Sequence, residues 1–164
     1  MIDFDKAFGA LQGGGIEFIV IGGVAAALQG SARTTADLDV VYRRSRENLQ
    51  RLVEGLEPYS PYLRGAPPGL PFKFDLGTLR NGLNFTLSTS FGDLDLLGEV
   101  AGGGNYEALL PHSAEVVGFN CRFHLVSLEK LIHLKRAAGR PKDLEALAEL
   151  QLILQRRKTV SGQL

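Results

Sequence analysis

Asp37 and Asp39 are separated by a single residue, Leu38, and stand at the head of the apolar run Val40-Val41-Tyr42. In an extended chain, side chains alternate between faces, so the two carboxylates share one face while Leu38 turns into the core. Two like charges this close repel unless a cation lies between them. Hard divalent ions such as Mg²⁺ are held in this way, by one or two carboxylates together with substrate phosphates. Upstream, Gly22-Gly23 follows Phe18-Ile19-Val20-Ile21, an apolar run with β-branched residues that reads as a strand ending in a tight turn. Val24-Ala25-Ala26-Ala27-Leu28 has high helix propensity, and the free N–H groups at its start offer a place for a phosphate. Strand, glycine turn, small helix and paired carboxylates thus come in the order that metal-dependent chemistry on a nucleoside triphosphate needs.

Gly22-Gly23, thirteen residues, then Asp37-Leu38-Asp39 between apolar flanks resembles the signature of the DNA polymerase beta-like nucleotidyltransferase superfamily, at the long end of its spacing. The fuller pattern Gly30-x-x-Arg33-Thr34-Thr35-x-Asp37-x-Asp39 is similar to bacterial proteins of the AbiEii and minimal-nucleotidyltransferase type, many of them toxin-antitoxin components. The block from Ser127 to Leu144, with Lys135, Arg140, Lys142 and Asp143, is similar to the C-terminal helical motif of those proteins. The resemblance implies Mg²⁺ or Mn²⁺ as cofactor, a nucleoside triphosphate as substrate, an RNA or protein hydroxyl as acceptor, and a cognate toxin or antitoxin as partner. It also implies that Asp37 and Asp39 are catalytic metal ligands and that a third carboxylate lies on a neighbouring strand. Asp93 and Asp95 share one face of the predicted strand there; Asp95, deeper in the apolar run, matches the family position better, with Asp93 as the alternative. Asp95 is expected to complete the metal site and to help the attacking hydroxyl lose its proton.

Gly22, Gly23, Arg33, Thr35 and Lys135 are the expected nucleotide contacts. For Arg33 the competing reading is an ion pair with Asp37 or Asp39, and for Lys135 a surface lysine lying along apolar neighbours. Lys142 and Asp143 are read as local pairs. Other phosphate and hydrolase motifs fail: the glycines do not fit G-x-G-x-x-G, and there is no G-K-S, G-K-T or G-x-S-x-G. His112, His124 and His133 lack the spacing of a zinc site.

Hydrophobic pattern and turn residues outline the elements around these side chains. Helices are expected near Phe4 to Leu11, Val24 to Gln29 and Arg46 to Leu56, and strands at Glu17 to Ile21 and Leu38 to Tyr42. Pro58 to Pro71 reads as a loop, either a cover for the site or an ordinary surface connection. Strands follow at Phe72 to Asp75, Leu83 to Ser88, Leu94 to Leu97, Ala114 to Val117 and Arg122 to Val126. Ser127 caps a helix from Leu128 to Ala138, Gly139 ends it and Pro141 opens the last one. The fold class is α/β (α+β): a nucleotidyltransferase-like mixed sheet flanked by helices. It forms one domain over 1–164, with a sheet-containing core at 1–126 and a C-terminal helical hairpin at 127–158.

The chain has 164 residues, 18 Lys and Arg against 18 Asp and Glu, and 45% apolar residues, so it can bury a core yet lacks the net charge of a nonspecific nucleic-acid binder. The run Arg43-Arg44-x-Arg46 follows the carboxylate strand and is a candidate border for a macromolecular acceptor. Cys121 is the only cysteine, which points to the cytoplasm, and no apolar run reaches membrane-spanning length. Two function classes stand. One is a metal-dependent nucleotidyltransferase; the other is a nucleotidyltransferase-fold regulatory module, weak or inactive in catalysis, that acts through a protein partner. Transfer to a small molecule, as in aminoglycoside-modifying enzymes, is a third.

Overall fold

The structure, a computed structural model, describes residues 1–162. Seven strands form one mixed sheet, joined and flanked by seven α-helices and two short 3₁₀ turns among the described residues. In chain order the strands are β1 (Phe18–Ile21), β2 (Asp37–Tyr42), β3 (Tyr62–Leu63), β4 (Asn84–Thr89), β5 (Gly92–Leu97), β6 (Ser113–Gly118) and β7 (Cys121–Val126). Their order across the sheet is β3-β4-β5-β2-β1-β7-β6. β2 runs parallel to β5 and β1 parallel to β7, while the remaining neighbours are antiparallel.

The central strands are apolar where two layers cover them. All of β1 is buried, as are Leu38, Val40, Val41 and Tyr42 of β2 and Leu94 and Leu96 of β5. Because the pleat alternates, Leu38, Val40, Leu94 and Leu96 fill one face, leaving Asp37, Asp39, Asp93 and Asp95 on the other.

The helices are α1 (Phe4–Gly13), α2 (Gly22–Leu28), α3 (Arg46–Leu56), α4 (Leu76–Asn81), α5 (Tyr106–Leu109), α6 (Leu128–Ala138) and α7 (Pro141–Gly162). Side chains of Asp3, Ser45 and Ser127 accept hydrogen bonds from the first-turn N–H groups of α1, α3 and α6, satisfying donors that a helix start otherwise leaves free. Gly139, at φ +65°, ends α6 and turns the chain into α7. Buried Asn48 on α3 ties the helix to the sheet. It accepts from the Glu17 N–H at 2.7 Å and donates to the carbonyls of Glu17 at 3.0 Å and Arg43 at 2.7 Å.

Two expectations change here. Phe72 to Asp75 is not a strand; Asp75 instead caps the short helix α4, accepting from Thr78 N–H at 2.9 Å. A two-residue edge strand, β3, lies inside the stretch expected to be a plain loop. Pairing with β4 supplies its backbone partners, so it needs no long apolar pattern of its own. Among the described residues, no helix is long and apolar enough to cross a membrane.

Candidate active site

The carboxylates meet because β2 and β5 run parallel and in register. Asp37 lies opposite Asp93 and Asp39 opposite Asp95, while Ile21, the last residue of β1, lies opposite Asp39 on the other side. Asp37, Asp39 and Asp95 each offer a carboxylate oxygen within 4.8 Å of the others. Asp93 stands at the rim of this group, where Ser88 Oγ donates to it at 3.4 Å.

Asp39 is the innermost of the set. Its Oδ1 is buried and has no hydrogen-bond partner among the described residues. Burial first, then a hydrogen bond with Asp95 and the charges of Asp37 and Asp95, push its carboxyl up from 3.8 to about 8, against the opposing pull of Lys135. Desolvation and like charge both disfavour the ionised form. A divalent cation fits this donor set: three carboxylates converge, and among the described residues Asp39 Oδ1 has no hydrogen-bond partner.

The glycine turn serves the carboxylates directly. Gly22 has φ +68°, and a Cβ there would run into the Asp39 side chain, its Cβ and Cγ both at 2.9 Å. A Cβ on Gly23 would lie 2.6 Å from Thr35 Oγ1 and 2.8 Å from Thr35 Cβ. Thr35 in turn donates to the Asp37 carbonyl at 3.1 Å and to Asp37 Oδ1 at 3.3 Å. The close approach the two glycines permit is therefore to the acidic residues and their support. α2 begins at Gly22 itself, two residues earlier than the alanine run suggests.

Facing the carboxylates is a cationic wall from α6 and the turn that leads into α7. Lys135 is only 17% exposed and lies 3.4 Å from Asp143 Oδ1, whose side chain is fully buried. Arg140 closes on the same carboxylate, Nε to Oδ2 at 2.6 Å and Nη2 to Oδ1 at 3.2 Å. Burial works to raise the Asp143 pKa, but the Arg140 hydrogen bonds and the charges of Lys135 and Arg140 outweigh it and hold the carboxyl below the usual range. Asp143, expected to form only a local pair, is thus the buried anchor of two cations, and Lys135 is not a surface lysine.

Arg33 does not pair with Asp37 or Asp39. It is half exposed and lies 3.9 Å from Glu145 and 4.0 Å from Glu149 on α7. Glu149 also accepts from Ser31 Oγ at 2.5 Å and from the Ala32 N–H at 3.0 Å, fixing the loop before β2. A cavity of about 220 Å³ brings Gly23, Arg33, Thr35, Asp37, Asp39, Asp95, Lys135, Arg140 and Lys142 to one space. A second, of about 170 Å³, shares Asp39, Lys135 and Arg140 but is walled by Ile21, Leu97, Val100, Leu131 and Leu134.

Arg64 enters the cluster from the opposite side and was not singled out by its sequence context. It follows β3, and its guanidinium lies 2.8 Å from Asp95 Oδ1, 3.3 Å from Asp93 Oδ2 and 3.9 Å from Asp37 Oδ2. The basic run at Arg43 is elsewhere. It sits beyond the far end of β2, four residues from Asp39 and so about 13 Å away along the strand. There Arg43 pairs with Glu17 and Glu107, and Arg44 donates to the Tyr42 hydroxyl. It does not border the acidic cavity.

No protein-family model matches the chain, and a search of curated proteins returns no match. Solved structures do match. The chain is similar to a proposed nucleotidyltransferase from Thermotoga maritima, with 15% identity over 89% of this chain and 88% of that one and a TM-score of 0.55. It is similar as well to the lincosamide antibiotic adenylyltransferase LnuA, seen with lincomycin bound. That match has 13% identity over 93% of this chain and 98% of that one and a TM-score of 0.58. The fold is nucleotidyltransferase-like.

Proposed function

We propose that this chain is a divalent-metal-dependent nucleotidyltransferase of the AbiEii-like minimal type, moving a nucleoside monophosphate from a triphosphate to a hydroxyl acceptor. The observation that carries the reading is the in-register group Asp37, Asp39 and Asp95, with its orphaned buried oxygen, facing Lys135 and Arg140 across one cavity. Clustered, partly buried like charges cost stability. Transfer chemistry gives a reason to keep them.

Asp37, Asp39 and Asp95 are the residues that hold the ion, which when bound lends positive charge to the attacking and leaving oxygens. Lys135, Arg140 and Arg33 draw the triphosphate into the cavity, and Asp143 keeps the first two aimed there. Asp95 accepts the proton of the acceptor hydroxyl. That oxygen then bonds to the α-phosphorus as the bond to the bridging oxygen breaks, and pyrophosphate leaves with the electron pair. Arg64 donates to Asp95 Oδ1 at 2.8 Å and so holds one of the two oxygens of this carboxylate.

In the toxin-antitoxin setting the acceptor lies on RNA or protein, a cognate partner accompanies the chain, and the cytoplasm is the site of action. A small hydroxylated molecule is a second acceptor class. The likeness to a lincosamide adenylyltransferase seen with lincomycin bound favours it. A regulatory module without catalysis has one observation in its favour, Arg64 lying against Asp37 and Asp95. Calorimetric titration with α,β-methylene nucleoside triphosphates, with and without Mg²⁺, tests the nucleotide half of the proposal. Metal-dependent binding that disappears in Asp37→Ala with Asp39→Ala is expected. A folded wild-type protein that binds neither metal nor triphosphate overturns it.

A further inference from the structure

We infer that Arg64 is the resident cation of the acidic cluster and competes with the divalent ion for Asp37 and Asp95, so that it sets the metal concentration at which the site loads. The inference rests on the metal-binding reading proposed above.

Three observations carry it. The Arg64 guanidinium reaches three carboxylates at once, at 2.8, 3.3 and 3.9 Å, and two of them belong to the converging triad. A planar fork with five donors can span them, and its charge is permanent at any ordinary pH. A divalent ion on Asp37 and Asp95 would stand within a few ångströms of that guanidinium, so the two cations exclude one another. Second, the backbone of Arg64 is fixed: its N–H donates to the Thr86 carbonyl at 3.0 Å, continuing the pairing of β3 with β4. Exchange therefore needs a side-chain rotation rather than movement of the strand. Third, Asp93 lies outside the triad yet contacts Arg64. It can keep the guanidinium after Asp37 and Asp95 are surrendered.

Arg64 thus holds the cluster together without metal and taxes metal binding. When a binding-competent state is only a fraction of the population, apparent affinity falls by that fraction. A guanidinium in place nine times in ten weakens the apparent metal affinity about tenfold.

The test is Mn²⁺ binding, read from the electron paramagnetic resonance signal of the free ion, with no nucleotide present. Four proteins are compared: wild type, Arg64→Met, Arg64→Lys, and Asp37→Asn with Asp39→Asn. Arg64→Met should bind Mn²⁺ about tenfold more tightly than wild type. Arg64→Lys, which keeps the charge but loses the fork, should fall between the two, and the double aspartate variant should not bind. Should Arg64→Met fail to fold, Arg64→Lys decides alone by binding more tightly than wild type. Equal or weaker binding by the arginine variants, beside a wild type that binds, overturns this inference and leaves the metal site standing. No binding by wild type or by either arginine variant removes the metal reading and this inference with it.

Discussion

A carboxyl held up to about 8 is protonated in the folded protein under conditions where the unfolded chain has released its proton, and Asp39 is in that position. The sign of the pH dependence follows. Without metal, Asp39 costs nothing below about pH 4, and stability falls as pH rises from there toward 8. Urea unfolding at pH 5, 6 and 7 in chelator should show the decline, and Asp39→Asn should flatten it. Metal binding should expel the proton, so the apparent Mg²⁺ affinity of wild type should rise with pH and level off near 8. A pH-independent affinity measured by calorimetry would contradict the placement of Asp39 inside the metal site. These aspartates were legible in the sequence because an i, i+2 spacing in a strand carries its own geometry. Arg64 carried no such signal, since nothing local distinguishes an arginine in a Gly- and Pro-rich stretch. Its partners lie on β2 and β5, 27 to 31 residues away in the chain.

Elements meet the site through a few buried joints, and each joint can be broken separately. Gly23→Ala drives a methyl into Thr35, which supports Asp37. It should cost about 1–3 kcal/mol in chemical denaturation and weaken triphosphate binding. Asp143→Ala removes the anchor shared by α6 and α7 and leaves Lys135 mostly buried and without it. A loss of about 3 kcal/mol is expected by the same measurement. Asn48→Leu strands the backbone groups of Glu17 and Arg43 far from the carboxylates, so it should lower stability by about 2 kcal/mol while sparing metal affinity. The helices with caps and apolar stripes, and the strands with β-branched runs, were readable from pattern. β3, α4 and α5 are two, six and four residues long, too short for periodicity to register. The role of Asp143 was hidden for another reason: only local pairing was expected of it, whereas the tie to Lys135 depends on how two helices cross.

Across the whole molecule, one sheet brings residues from both halves of the chain to a single cavity, with the acids on β2 and β5 and most of the cations on α6, α7 and the turn between them. The order of strands and the parallel pairing of β2 with β5 are long-range choices that no window of sequence contains. The resemblance in the glycine and aspartate motifs nevertheless pointed to the nucleotidyltransferase-like fold that the solved structures share. On the function proposed above, this arrangement transfers a nucleoside monophosphate. The most direct test incubates the protein with each α-labelled nucleoside triphosphate and Mg²⁺ or Mn²⁺, offering total RNA, total protein and a panel of small hydroxylated molecules. Label should move onto one acceptor class with wild type and onto none with Asp37→Ala and Asp39→Ala combined. Label that moves equally well with the double variant, or no label from a wild type that binds metal and triphosphate and is given all three classes, would contradict it.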